Sequence, residues 1–413
     1  MRHSGRIEFR LWTVRPLGEA DLPDLFRLDN AAFHIDPPDD FLDGIARPML
    51  AGARLTGVRD PDHDELLVGS AAVLPKAMTF PGGHPHPVAA VTFVAVRAGW
   101  RRRGILSALM RDQLHGLHAT AGEPVAVLTA SEGVIYGRYG YGRAIDAAEL
   151  RLPHGAPFAA SVPVEPVRAC STEVASARAR ALWDRVAPAT PGHLSRPDGT
   201  WHTRFAEHEF QRRGLSERRW AMHPDGVVGY RVRPSWVGRD ETWTVVVTDL
   251  IAATGVAHAS LWRFVLDLDL TGRVEYPLGW PDDPLQDLLA DRRSLTLTPH
   301  DHVWLRIVDL ERAVPLRSYA VGTTVDVAIE DDLCPWNAGT WRLEVGPDGG
   351  RATRTGAAAE LRMHARELGA CFLGGTPLGR LVAAGAVSGS ADAARRLGLA
   401  LSTPVAPWCP EGF

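Results

Sequence analysis

Val91-Thr92-Phe93-Val94-Ala95-Val96-Arg97-Ala98-Gly99-Trp100-Arg101-Arg102-Arg103-Gly104-Ile105-Leu106-Ser107-Ala108 is the stretch on which the fold turns. Its β-branched apolar opening, 91–96, has the length and composition of a buried strand. Its end begins an amphipathic helix over 105–117, in which Ile105, Leu106, Leu109, Met110 and Leu117 recur at helical spacing. Between them, three arginines lead into Gly104 where the helix starts. A helix N-terminus presents unpaired N–H groups and a positive dipole end, and a glycine lets a ligand approach the backbone closely. Two readings are open at this point: a solvated arginine cluster beside an ordinary helix, or a cradle for a pyrophosphate. The buried strand immediately before the loop favours the cradle.

Outward from this core, 124–129 reads as a second buried strand. It runs into Ser131-Glu132-Gly133-Val134-Ile135-Tyr136-Gly137-Arg138-Tyr139-Gly140-Tyr141-Gly142. Upstream, 9–15 alternates like a strand, and Asp21 is placed to cap a helix carrying Leu22, Leu25, Phe26, Leu28 and Phe33. Residues 53–60 and 66–76 read as a hairpin. The acidic, proline-broken run 34–43 is either a solvated loop or one wall of a pocket for a cationic amine, since carboxylates and aromatic faces both attract ammonium. From about residue 149 the strand–helix–strand order restarts, with strands at 227–233, 242–252 and 273–278 and a helix bearing Ala257, Leu261, Trp262, Val265 and Leu266. No arginine loop precedes that helix. From about residue 295 a third unit of short strands (303–308, 324–329, 340–345, 359–363) and helices (310–319, 378–384, 391–401) follows.

Arg101-x-x-Gly104-x-Leu106 resembles the coenzyme-A pyrophosphate loop of GCN5-related N-acetyltransferases, with leucine where most of that superfamily has a small residue. With Phe93 to Val96 before it, and Ser131-Glu132-Gly133-x-Ile135-Tyr136-Gly137-Arg138 after it, the chain resembles the enhanced intracellular survival (Eis) family in particular. That resemblance implies a mixed α/β and α+β chain of three domains. They are a catalytic GNAT domain (1–147), a degenerate GNAT-like domain with no cofactor site (148–294) and a sterol-carrier-protein-like α+β domain (295–413). It implies acetyl-coenzyme A as cosubstrate, held by Val94, Ala95 and Val96 on the strand, by Arg102, Arg103, Gly104, Ile105, Leu106 and Ser107 on the loop, and by Ser131 and Glu132. Tyr136 matches the family's general acid, and a phenol near pKa 10 can protonate a departing thiolate. A packed core tyrosine is the competing reading for that residue. The family's base is its C-terminal carboxylate, here on Phe413. An ordinary α-carboxyl near pKa ~3.5 is too weak a base unless burial raises it or water relays the proton. Candidate acceptor-pocket residues are Phe33, Asp36, Phe41, Phe93 and Glu411. Family tails often carry an acidic residue next to the terminal phenylalanine, whereas here Gly412 stands there and Glu411 lies one step back.

Composition bounds the function without deciding it. The 413 residues suffice for two or three cores, and a net charge of −4 gives no electrostatic reason to expect a nucleic-acid partner. Four scattered cysteines without a Cys-x-x-Cys pair argue against a metal site. No apolar run approaches the ~18 residues of a membrane span, and residues 1–10 lack a signal core, so a cytoplasmic location is expected. The expected partner is a small-molecule amine such as an aminoglycoside, a polyamine or a lysine side chain, and the family resemblance adds a homohexamer. A hydrophobic-ligand carrier acting through the third unit, and a transferase of longer acyl groups, are the alternatives.

Overall fold

The computed structural model describes residues 11–235 and 243–413. Among these, β1 (Arg15–Leu17), β2 (Arg54–Asp60), β3 (Leu66–Thr79), β4 (Pro85–Val96), β5 (Val125–Thr129), β6 (Gly142–Pro153), β7 (Arg168–Cys170), β8 (Arg219–His223), β9 (Gly226–Arg233), β10 (Trp243–Ala252), β11 (Thr271–Gly279) and β12 (Thr296–Ile307) share one sheet. Its order is β1-β2-β3-β4-β5-β12-β6-β11-β10-β9-β8-β7. Two neighbouring pairs are parallel, β4 with β5 and β10 with β11. Parallel neighbours need a crossover, and the helices Ile105–Ala119 and Gly255–Leu266 supply them. The two halves therefore repeat one strand–helix–strand plan.

The halves are joined through exchanged strands. β12 lies between β5 and β6, while β6 lies between β12 and β11. The strand that the sequence puts at the head of the third unit is thus built into the first sheet. The third unit's own sheet has the order β15-β14-β13-β16-β17, formed by β13 (Thr323–Glu330), β14 (Gly339–Gly346), β15 (Gly349–Arg354), β16 (Leu361–His364) and β17 (Ser388–Gly389). A helix Ala365–Cys371, which the sequence pattern does not announce, packs on β6 and β12. The approach is so close that a Cβ on Gly142 would fall 1.9 Å from the Arg366 carbonyl oxygen.

Several expectations are corrected. The first strand starts at Arg15, later than 9–15, and of that range Phe9 and Arg10 lie outside the described residues. Asp21 stands at the N-cap of Leu22–Phe33 without capping it, because its carboxylate accepts the Gly18 N–H (2.8 Å) and pairs with Arg59. Helix 310–319 is only Leu310–Ala313 followed by a 3-10 turn, Val314–Leu316. Among the described residues no helix is long and apolar enough to cross a membrane.

Candidate active site

β4 and β5 pair only at Ala89–Ala126, Ala90–Val127 and Val91–Leu128, although β4 runs on to Val96. The cause is an extra residue in β4: Ser70 faces Ala95 while Ala72 faces Thr92, a bulge in the β3–β4 ladder. Phe93 takes a φ of 49°, and the Ser70 hydroxyl donates to its carbonyl at 3.1 Å. Left-handed backbone at a phenylalanine is costly, and such strain concentrates where function requires it. Beyond Val91 the main chain of β4 has no β5 partner. Val94, Ala95 and Val96 lie on this free segment.

The loop after β4 turns through Arg102 (φ 62°) and Gly104 (φ 87°) into the helix. Gly104 is the N-cap and offers no side chain to the first turn, and a Cβ there would meet nothing within 4 Å. The N–H groups opening the helix therefore face open space beside exposed Arg102 and Arg103. This fits a pyrophosphate. Ile105 is core, 1 % exposed and packed under Gly69, so it can offer only its main chain. Leu106 packs with Val94 against the core, which explains a bulky residue at that position. The Ser107 hydroxyl is held by the Tyr139 hydroxyl at 3.1 Å, leaving its N–H for a ligand. In the second half, Thr254 caps the corresponding helix by accepting the Ala257 N–H at 3.1 Å. One of the N–H groups opening that helix is therefore already taken by a side chain, unlike at Gly104.

Where β4 and β5 part, Phe33, Phe93, Val94, Ser131, Tyr136 and Phe413 line a cavity of ≈ 270 Å³. Exposed Glu132 follows Ser131 as N-cap of the Gly133–Tyr136 turn. Tyr136 is buried, and burial, then Tyr139 and Glu132, push its phenol up to about 12. It stays protonated at physiological pH. A main-chain oxygen of Phe413 accepts the Thr129 hydroxyl at 3.0 Å. The tail is pinned all along: the Trp408 indole donates to the Leu278 carbonyl (3.2 Å), and the His302 ring to that of Glu411 (2.9 Å).

Glu411 does not form an acidic rim. It is 3 % exposed and its carboxylate is bound by Arg196 (2.5 Å) and Arg204 (3.1 Å). Although burial opposes ionisation, Arg196, Arg204 and Lys76 hold the carboxyl down to about 2. Its charge is matched by guanidiniums and anchors the tail, and with Phe413 it lines a cavity of ≈ 240 Å³. Asp36 is exposed and lines an adjoining cavity that shares Phe26, Asn30 and Ile35 with the one Phe41 lines. Phe41 does line a large cavity, ≈ 650 Å³, together with Phe26, Phe93 and Phe210. Phe93 faces both this cavity and the one holding Tyr136.

Asp29 is the acid that sequence reasoning missed. It lines the large cavity, its Oδ1 is buried without a hydrogen-bond partner, and burial raises its carboxyl to about 6. The signal was present: Asp29 stands four residues after Leu25, on the apolar stripe of its helix. Among the described residues no group of three or more His, Cys, Asp or Glu is placed to hold a metal.

The acetyltransferase (GNAT) domain family matches residues 13–144, a second acetyltransferase (GNAT) domain family matches 192–307, and the sterol carrier protein domain family matches 310–410. An uncharacterized N-acetyltransferase of Streptomyces coelicolor is 37% identical, covering 87% of this chain and 89% of its own. The N-acetyltransferase Eis of Mycobacterium tuberculosis is 36% identical over 77% of this chain and 78% of its own. The crystal structure of Eis1 from Mycobacterium abscessus superposes with a TM-score of 0.83 at 31% identity, covering 97% of this chain and 100% of that one.

Proposed function

Because this chain belongs to the Eis family of GCN5-related N-acetyltransferases, and is itself an N-acetyltransferase, we propose that it moves acetyl directly from acetyl-coenzyme A to a primary amine of a cationic acceptor. The observation that carries this reading is the single cavity shared by the parted β4 segment, Tyr136 and Phe413. When bound, acetyl-coenzyme A supplies an activated thioester. Arg102, Arg103 and the N–H groups from Gly104 to Ser107 hold negative charge at the helix N-terminus, with Ser131 and Glu132 beside them. Main-chain N–H groups of the unpaired β4 segment polarise a carbonyl, the electrostatic contribution common to acyl-transfer sites. Tyr136 holds a proton at its hydroxyl for the departing sulfur, and the Phe413 carboxylate takes one from the amine, directly or through water.

The acceptor enters as an ammonium past the faces of Phe26, Phe41, Phe93 and Phe210 and meets Asp29. Asp29→Asn is expected to raise KM for the amine at least ~10-fold, as loss of a hydrogen bond to a charged group implies. With the carboxyl at about 6, its charge is present above that pH and lost below it. KM of the native enzyme should therefore rise as pH falls through 6, and that rise should be absent in Asp29→Asn. A pH series of initial rates for both proteins checks this.

The Thr254-capped helix supports one cofactor site per chain. Calorimetric titration is expected to give one equivalent of coenzyme A, and two would contradict the reading. Transfer itself is tested by following thiol release from acetyl-coenzyme A with a panel of amines. Release that depends on the amine supports it, and release at the same rate without amine would mark a hydrolase.

A further inference from the structure

The walls of the acceptor cavity carry more positive charge than a purely cationic acceptor would favour. Asp29 is the one carboxylate among the described residues lining the ≈ 650 Å³ cavity, against two guanidiniums, Arg213 and Arg218. A second cavity of ≈ 240 Å³ shares Ile45, Met49, Gln211, Arg218 and Thr248 with it, and adds Lys76, Arg204 and Glu411. Of the cations lining the two cavities, Arg204 pairs with Asp249 and Glu411, and Lys76 donates to the Ser195 carbonyl and the Thr200 hydroxyl; behind the walls Arg196 pairs with Glu411 and Arg231 with Glu207. Half-buried Arg218 is not paired in this way. Among the described residues no carboxylate lies within ion-pair distance of it; its Nη1 donates to the Arg204 carbonyl, its guanidinium lies 5.7 Å from the Trp220 ring centre, and its Nε has no partner. The Gln211 Oε1 and Thr248 Oγ1 beside it are likewise buried without partners.

A guanidinium with no direct ion pair in a half-buried wall, its charge offset only at longer range by Asp249 and Glu207, is open to an arriving anion, and a carboxylate or phosphate fits its fork of donors. Thr248 adds a hydroxyl donor to the same wall. We propose that the acceptor is an amphoteric amine: its amino group lies toward Asp29 and Phe93, the residue that the large cavity shares with the Tyr136 cavity, and an anionic group of the same molecule, a carboxylate in the simplest case, binds Arg218. This rests on the acetyl-transfer reading and narrows its acceptor class, favouring a lysine-like amine bearing an acid over a polyamine or aminoglycoside.

The test uses the full-length enzyme with a length series of ω-amino acids and the alkylamines of matching length, which differ only in the carboxylate. At the best length kcat/KM should favour the amino acid ~10-fold or more, and Arg218→Gln should reduce that preference to ~2-fold or less without weakening alkylamine turnover. Arg218→Lys should keep part of the preference, separating charge recognition from altered packing. Equal or better use of the alkylamines by the native enzyme at every length would overturn the proposal. So would acetylation of polyamines alone, while leaving acetyl transfer standing. Acetylation of no amine at all would instead overturn the reading on which the proposal rests.

Discussion

Extending the chain by a residue or two past Phe413 is expected to lower turnover by ~10²–10⁴-fold, the usual contribution of one acid–base group, with coenzyme-A affinity unchanged. The extension replaces a carboxylate by a neutral amide at the Thr129 contact and carries the charge elsewhere. The tail itself should stay seated, because Glu411 remains bound to Arg196 and Arg204 and Trp408 to Leu278. Tyr136→Phe keeps the ring in its buried place and removes the proton donor, so it should also cut turnover without cofactor loss. The doubly altered protein should lose less than the product of the two, since groups acting as a unit are not additive. Single-turnover rates with folding and cofactor affinity checked in each protein measure this, and a tail-extended enzyme at full activity would remove Phe413 from the chemistry.

Gly104→Asp is expected to abolish coenzyme-A binding while the protein stays folded. A Cβ at Gly104 meets open space, so no packing is disturbed. The left-handed φ of 87° costs a non-glycine residue ~1–2 kcal/mol, well within what a two-domain sheet of this size withstands. What the aspartate adds is a negative charge where the helix N-terminus and Arg102 and Arg103 would hold a pyrophosphate. Gly104→Ala separates the two effects, bringing the backbone strain without the charge, and should weaken binding far less. Calorimetry with coenzyme A on the three folded proteins decides it; undiminished affinity in Gly104→Asp would mean the loop does not cradle phosphate.

The strand–loop–helix core was legible because its signals are local: β-branched run, glycine, helical spacing. The repeat of that plan in the second half was legible for the same reason, and so was its missing loop. The exchange of β6 and β12 was not, because which strand sits between which others depends on contacts more than a hundred residues apart. The same limit moved the head of the third unit, since 296–307 carries a strand pattern that says nothing about its partners. Within the site, the loop and Tyr136 stood out through spacing. Glu411 misled because a carboxylate near a pocket reads as an acidic rim until its arginine partners are seen. Asp29 and Arg218 were hidden for a related reason: the sequence does not tell a paired charge from an unpaired one.

The central claim is that acetyl passes from coenzyme A to an amine where β4 and β5 part. The most direct measurement is mass spectrometry of a reaction with isotopically labelled acetyl-coenzyme A and a panel of primary amines, with the tail-extended and Tyr136→Phe proteins run alongside. The account predicts the label as an amide on the amine in the native reaction, and a small fraction of it in the other two. Label found only in free acetate, or on the amine at equal yield in all three proteins, would contradict it.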